Sequence, residues 1–152
     1  MTNKEFVLSI MREQGRANAL DLRNRAKDMT GTAIIAEESK IPLYDNSKDY
    51  SSWAVGSPCL FDGQVYGLLQ PYNAANYPDT NPANTPALWR VVHTTDPLKA
   101  KPYIKPTNTS DMYLVGECMV YTDGLVYRSL RDTAYSPEEY AADWEVITNE
   151  LS

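Results

Sequence analysis

Val55-Gly56-Ser57-Pro58-Cys59-Leu60-Phe61-Asp62-Gly63-Gln64-Val65-Tyr66 and Val115-Gly116-Glu117-Cys118-Met119-Val120-Tyr121-Thr122-Asp123-Gly124-Leu125-Val126-Tyr127 are two copies of one pattern. In each, Val-Gly leads into a short apolar run, Asp-Gly interrupts it, and a second run ends in Val-Tyr. After loops of different length, the copies close with Trp89-Arg90-Val91-Val92 and Trp144-Glu145-Val146-Ile147. An internal repeat sets the architecture ahead of any local argument. Asp-Gly between apolar runs of period two marks a hairpin, because a type I′ turn needs positive φ at both central residues. The expected fold class is therefore mainly β with an N-terminal α-helix. Two small three-stranded antiparallel modules are joined by a Pro/Thr-rich linker.

The first module with its lead-in spans 32–92, and the second spans 112–150. Modules of about 40–50 residues sit at the edge of independent stability. Each offers only a few large side chains for a core: Trp53, Phe61, Tyr66 and Trp89 in the first, Tyr113, Tyr121, Tyr127 and Trp144 in the second. The long first loop, Gln70 to Pro86, carries Tyr72 and Tyr77. In the second copy Thr122 lengthens the turn by one residue. Ser136-Pro137-Glu138-Glu139 has the capping-box pattern with Pro at the first helical position, which predicts one helical turn before Trp144. Residues 93–111 contain Pro97, Pro102, Pro106 and Thr107-Asn108-Thr109-Ser110, a composition expected to form a semi-rigid spacer. Tyr103-Ile104 is the place where that spacer would touch a neighbour.

Residues 1–31 are expected to be a helical anchor or oligomerisation stem, helical over 3–29. Asn3 is the expected cap, and Thr30-Gly31 the stop. Glu5 and Glu13 lie early, and Arg23, Arg25 and Lys27 late, which matches the helix dipole. Phe6, Ile10, Ala17 and Leu20 recur at helical spacing and form a narrow stripe. That stripe must pack on a module or on another copy of itself, and the two remain equal alternatives. Ile34 and Ile35 predict a short strand or a turn of helix. Ile41-Pro42-Leu43-Tyr44 is expected to be extended, and Asp45 to Asp49 a polar turn.

The net charge of −6 comes with no basic stripe, which argues against nucleic acid as a partner. The mixture of Arg16, Arg23, Arg25 and Lys27 with acids predicts a solvated face. No apolar run approaches the ~20 residues of a membrane span. The N-terminus lacks the basic and apolar regions of a signal peptide, so a cytoplasmic site of synthesis and assembly is expected. Cys59 and Cys118 fall in equivalent apolar strands and are expected to be free buried thiols. His93 is the one histidine, and its place at a module edge predicts a surface residue. No catalytic constellation, metal site or cofactor site is expected. Glu37 with Glu38 and Glu138 with Glu139 are adjacent and point apart, unlike a hydrolase pair. Asp45, Ser47 and Asp49 alternate as in a calcium loop but lack its glycine and its later glutamate.

The repeated residues are similar to the small chitin- and cellulose-binding modules of carbohydrate-binding families 5 and 12. That pattern is an aromatic, then Gly-(Asp/Glu)-x-Val-x-Tyr-x-Gly-x-x-Tyr, a loop and a closing Trp. Trp53, Gly56, Cys59, Phe61, Gly63, Tyr66 and Trp89 match it in the first copy. Tyr113, Gly116, Glu117, Met119, Tyr121, Gly124, Tyr127 and Trp144 match it in the second, with Thr122 inserted. The likeness covers about residues 50–92 and 112–147. Where chitin-binding members place stacking tryptophans, this chain has Gln70 and Pro71, and Arg131 and Asp132. The resemblance implies that Tyr72, Tyr77, Tyr135 and Tyr140 take over sugar contact.

A short N-terminal helix followed by such modules also resembles bacteriophage and prophage proteins of the tail or head fibre. That resemblance implies a non-enzymatic, homo-oligomeric protein of the virion, assembled in the host cytoplasm. Its implied partners are other virion proteins and a host surface polysaccharide. The alternative is a purely structural virion adaptor whose modules and helix dock on capsid or tail proteins without binding glycan.

Overall fold

The computed structural model describes residues 2–151. Helix α1 spans Asn3–Arg25 and is capped by Thr2 rather than Asn3. The Thr2 hydroxyl accepts from Glu5 N at 3.1 Å and the Glu5 carboxylate accepts from Thr2 N at 2.9 Å. This reciprocal box satisfies two donors that the first turn leaves free. A 3₁₀ turn, Ala26–Asp28, follows directly. Thr30 then caps a second helix, α2, Gly31–Ala36. Gly31 is therefore not the stop expected from sequence. A Cβ there would stand 2.2 Å from the His93 carbonyl oxygen, so the site needs glycine for close approach of two backbones.

The fold class is the one the repeat predicts: an N-terminal helical segment and two small sheets. In the first sheet β1 (Pro58–Phe61), β2 (Gln64–Leu68) and β3 (Trp89–Val91) pair antiparallel in that order. Phe61 pairs with Gln64 across Asp62 (φ 50°) and Gly63 (φ 76°), the two-residue loop with both φ positive. The second sheet holds β4 (Lys101–Pro102), β5 (Cys118–Val120), β6 (Val126–Ser129) and β7 (Trp144–Val146). Its hairpin absorbs Thr122 by changing turn type. Gly124 N donates to Tyr121 O at 2.9 Å, Tyr121 N to Leu125 O at 3.0 Å, and Gly124 takes the left-handed conformation at φ 81°. A type I turn closed by a left-handed glycine is the usual three-residue hairpin loop.

The second sheet is four-stranded because β4 pairs parallel to β5 at its edge. Pro102 is tolerated there since an edge strand leaves one side unbonded. This strand comes from the stretch expected to be a spacer, and the rest of that stretch is also packed. His93, Thr94 and Asp111 are buried. The Asp111 carboxylate accepts from Val91 N at 2.8 Å, and Gln64 Nε2 donates to Pro102 O at 2.8 Å. Tyr103 packs into the core of the second sheet while Ile104 packs on that of the first. Composition does not reveal this, because the stretch is held by bonds to remote groups: Thr94 O accepts from Cys118 N at 2.7 Å and Tyr103 N donates to Val120 O at 2.8 Å.

Each face of the first sheet has its own core. Cys59, Tyr66 and Val91 join Tyr50, Trp53, Tyr72 and Trp89 on one side. Val65 and Val92, one residue out of phase, join Leu22, Ala26, Ile34, Ile35 and Ile41 on the other. The end of α1 is thus docked on its own chain through Leu22. Phe6, Ile10, Ala17 and Leu20 are not: all four are exposed, Phe6 to 57% and Ile10 to 53%.

Candidate functional site

Of the four tyrosines expected to touch ligand, Tyr72 does not qualify. It is buried, and its hydroxyl accepts from Trp89 Nε1 at 2.8 Å. The loop after β2 folds back over the sheet, with Tyr50 N bonded to Tyr72 O at 2.8 Å, which carries the ring into the aromatic core. Burial pushes the Tyr72 hydroxyl pKa up. Tyr77 stays exposed, tilted against Tyr72 with ring centroids 6.4 Å apart, and has no second exposed ring beside it among the described contacts.

The second module brings Tyr135 and Tyr140 together at the surface. They are 55% and 49% exposed, with centroids 6.2 Å apart and planes at 42°. Local sequence builds this pair. Glu139 N donates to Ser136 Oγ at 3.1 Å and Ser136 N to Glu139 Oε1 at 3.0 Å, the expected capping box. Tyr140 N then donates to Ser136 O at 2.9 Å and closes one turn. Trp144 Nε1 donates to Tyr135 O at 2.9 Å, which ties the first ring's backbone to the module core.

Two cations flank the rings. Lys105 Nζ lies 5.5 Å from the Tyr135 centroid and the Arg131 guanidinium 6.0 Å from that of Tyr140. Both are neutralised. Lys105 bonds Glu139 Oε1 at 2.6 Å, and Arg131 lies 2.9 Å from Asp143 Oδ1. The hydrogen bond from Lys105 holds the Glu139 carboxyl below its ordinary pKa. The resemblance puts Arg131 at a sugar-stacking position, whereas nothing in the sequence brings Lys105 to this face. Lys105 arrives from within the folded 93–111 stretch, so only tertiary structure brings it here. Two of the positions where the resembling families stack tryptophan, Gln70 and Asp132, have structural bonds instead. Gln70 Nε2 donates to Ala87 O at 3.2 Å, and the Asp132 carboxylate accepts from Val115 N at 2.9 Å.

The remaining candidates have structural partners. The Glu37 carboxylate is hydrogen-bonded by Arg25 and Lys40, which hold its pKa well below the usual range, while Glu38 pairs with Lys101. Asp45 and Asp49 accept from the backbone N–H groups of Ser47 and Ser51, closing local turns. Among the described residues no three of His, Cys, Asp and Glu gather to hold a metal ion. Cys59 and Cys118 are free and buried, and desolvation raises both thiol pKa values, Cys118 to about 11. A thiol so shifted is not an activated nucleophile.

His93 is buried rather than superficial. Its ring stacks on Tyr113 with centroids 3.7 Å apart, and its Nε2 lies 2.7 Å from the Asp111 carbonyl. A carbonyl only accepts, so Nε2 carries the hydrogen. Burial lowers the imidazole pKa to about 4, from an ordinary 6.5. The folded state therefore resists a proton that the unfolded chain takes up. The His93 contribution is present in full above pH 6.5 and is lost as pH falls from there through about 4. The full linkage amounts to on the order of 3 kcal/mol. Urea midpoints at pH 7 and pH 4.5 check this, beside an NMR titration of the ring. A His93 that titrates near 6.5 in the folded protein contradicts it.

No sequence profile of a known protein family matches this chain, and no curated protein matches it either.

Proposed function

We propose that this is a non-enzymatic, virion-associated binding protein that recognises a neutral host surface glycan through Tyr135 and Tyr140 of its second module. The observation that carries this role is the exposed, backbone-fixed tyrosine pair between two neutralised cations. Aromatic rings half open to water gain by covering the C–H face of a pyranose, and a face without net charge adds no preference for acidic sugars. The first module serves as the platform that docks α1 and the linker. The virion setting rests on the arrangement of a short helix before two such modules. In that setting α1 presents Phe6, Ile10, Ala17 and Leu20 for assembly with further copies, so that weak single sites combine by avidity.

Retention on insoluble chitin, cellulose and host cell walls tests the assignment. Wild-type protein is expected to bind at least one of these. Tyr135→Ala with Tyr140→Ala weakens that binding by about tenfold or more, since each stacked ring contributes ~0.5–1.5 kcal/mol. Tyr77→Ala leaves it nearly unchanged. No retention on any polysaccharide, or retention indifferent to the double substitution, rejects glycan recognition at this face.

The second role is the purely structural adaptor. It is favoured by the burial of Tyr72, which leaves the first module without an exposed aromatic pair. In that case other virion proteins, and no polysaccharide, retain the chain.

A further inference from the structure

The later part of α1 and the segment leading into the first sheet enclose a groove of about 540 Å³. Arg16 and Arg23 line it from the helix, and Lys40 and Lys48 from the opposite wall, with Ala19 and Ile41 among its apolar residues. No carboxylate belongs to the lining. Four cations gathered without an acid are conspicuous in a chain of net charge −6. The sequence separates Arg16 from Lys48 by more than thirty positions, so only the fold brings them to one groove.

Two of these cations converge on a single indole. The Arg23 guanidinium lies 4.4 Å from the Trp53 ring centroid and Lys48 Nζ lies 5.0 Å from it. Neither forms an ion pair among the described residues. Arg16 and Lys40 do, with Glu13 at 3.2 Å and Glu37 at 2.9 Å, and neither acid lines the groove. Arg23 is half-buried, and burial lowers its pKa, which marks an unfavourable environment for its charge. Trp53 holds both in place through cation–π contact, and the Asp45 carboxylate lies within electrostatic reach of Lys48. A bound anion would offset the desolvation of Arg23.

We propose that this groove binds a compact phosphate group carried on a small polyol or sugar. A guanidinium fork beside an ammonium point charge suits the oxygens of a tetrahedral dianion. Asn18 and Ser39, also in the lining, suit hydroxyls on the carbon body attached to it. The overall negative charge disfavours a long polyanion, because phosphates beyond the groove would face repulsion. This site is separate from the tyrosine pair and does not depend on it.

Calorimetric titration of the full chain at low salt tests the site, with glycerol 3-phosphate, inorganic phosphate and glycerol as probes. Glycerol 3-phosphate is expected to bind, inorganic phosphate to bind more weakly, and glycerol not to bind. Lys48→Gln is expected to weaken glycerol 3-phosphate about tenfold, as loss of one charge-assisted hydrogen bond does. Arg23→Gln should do at least as much. Arg12→Gln, outside the lining, leaves binding unchanged. Lys48 is exposed, so its variant keeps the test valid if Arg23→Gln disturbs Trp53. Absence of binding by both phosphates overturns the site, as does affinity indifferent to Lys48→Gln. Inorganic phosphate bound as tightly as glycerol 3-phosphate overturns the polyol assignment. A short DNA duplex bound more tightly than glycerol 3-phosphate replaces it with nucleic acid.

Discussion

Trp89→Ala is expected to lower the stability of the protein by about 3–5 kcal/mol, the usual cost of emptying a buried indole site. Trp89 is 1% exposed and meets Tyr44, Tyr50 and Tyr72 edge-on, with centroids 5.4–6.3 Å away. Its Nε1 also gives the Tyr72 hydroxyl its shortest bond, at 2.8 Å. Truncation removes the packing and weakens the satisfaction of a buried hydroxyl, and the two losses add. Domains of this size are stable by only ~5–15 kcal/mol, so about a fifth or more of the total would go. Urea unfolding followed by tryptophan fluorescence and by far-UV circular dichroism measures it. A loss under about 1 kcal/mol would mean that the aromatic cluster is not the core of the first module.

Leu22→Ala separates the two ends of α1. Leu22 is fully buried against Ile34, Ile35 and the back of the first sheet, so its truncation is expected to cost about 2–5 kcal/mol. Phe6→Ala and Ile10→Ala, on the exposed part of the same helix, should change monomer stability by less than ~0.5 kcal/mol. Their effect is expected in assembly instead. Sedimentation of wild-type protein should show an oligomer that either substitution weakens, while Leu22→Ala acts on unfolding. A wild-type monomer at high concentration would remove the assembly role of the stripe. Equal destabilisation by Ile10→Ala and Leu22→Ala would mean that α1 docks along its whole length.

Helix α1 shows why sequence pattern answered only half of this question. Phe6, Ile10, Ala17 and Leu20 are the positions that helical spacing selects, yet the fold leaves them in water and buries Leu22 and Ala26 instead. Periodicity reports which residues share a face, not which face finds a partner. The same limit applies to Tyr72. In sequence it is one loop tyrosine among several, and its burial follows from a loop that returns over the sheet and meets Trp89. A lone polar residue at a module edge has no partner visible in sequence, which predicts a surface position for His93. Its partners, Tyr113 and the Asp111 carbonyl, lie about 20 residues downstream.

Where the chemistry is local, the residues alone sufficed. Asp62-Gly63 specifies a two-residue hairpin, because few dipeptides accept positive φ twice. Ser136 to Glu139 specifies a single capped turn, because both partners of the box lie three residues apart. The doubled pattern specifies two antiparallel modules and the strands within them. Packing between distant segments settled the rest. The 93–111 stretch became an edge strand and a clamp between sheets, Tyr72 became core, and Tyr135 with Tyr140 became the exposed pair. Arg23 and Lys48 met over Trp53 for the same reason. A hairpin turn or a helix cap is decided within four residues by backbone geometry. The partner of an exposed stripe, a buried imidazole or a cationic groove depends on which remote surfaces exclude water together, and that is a property of the whole chain.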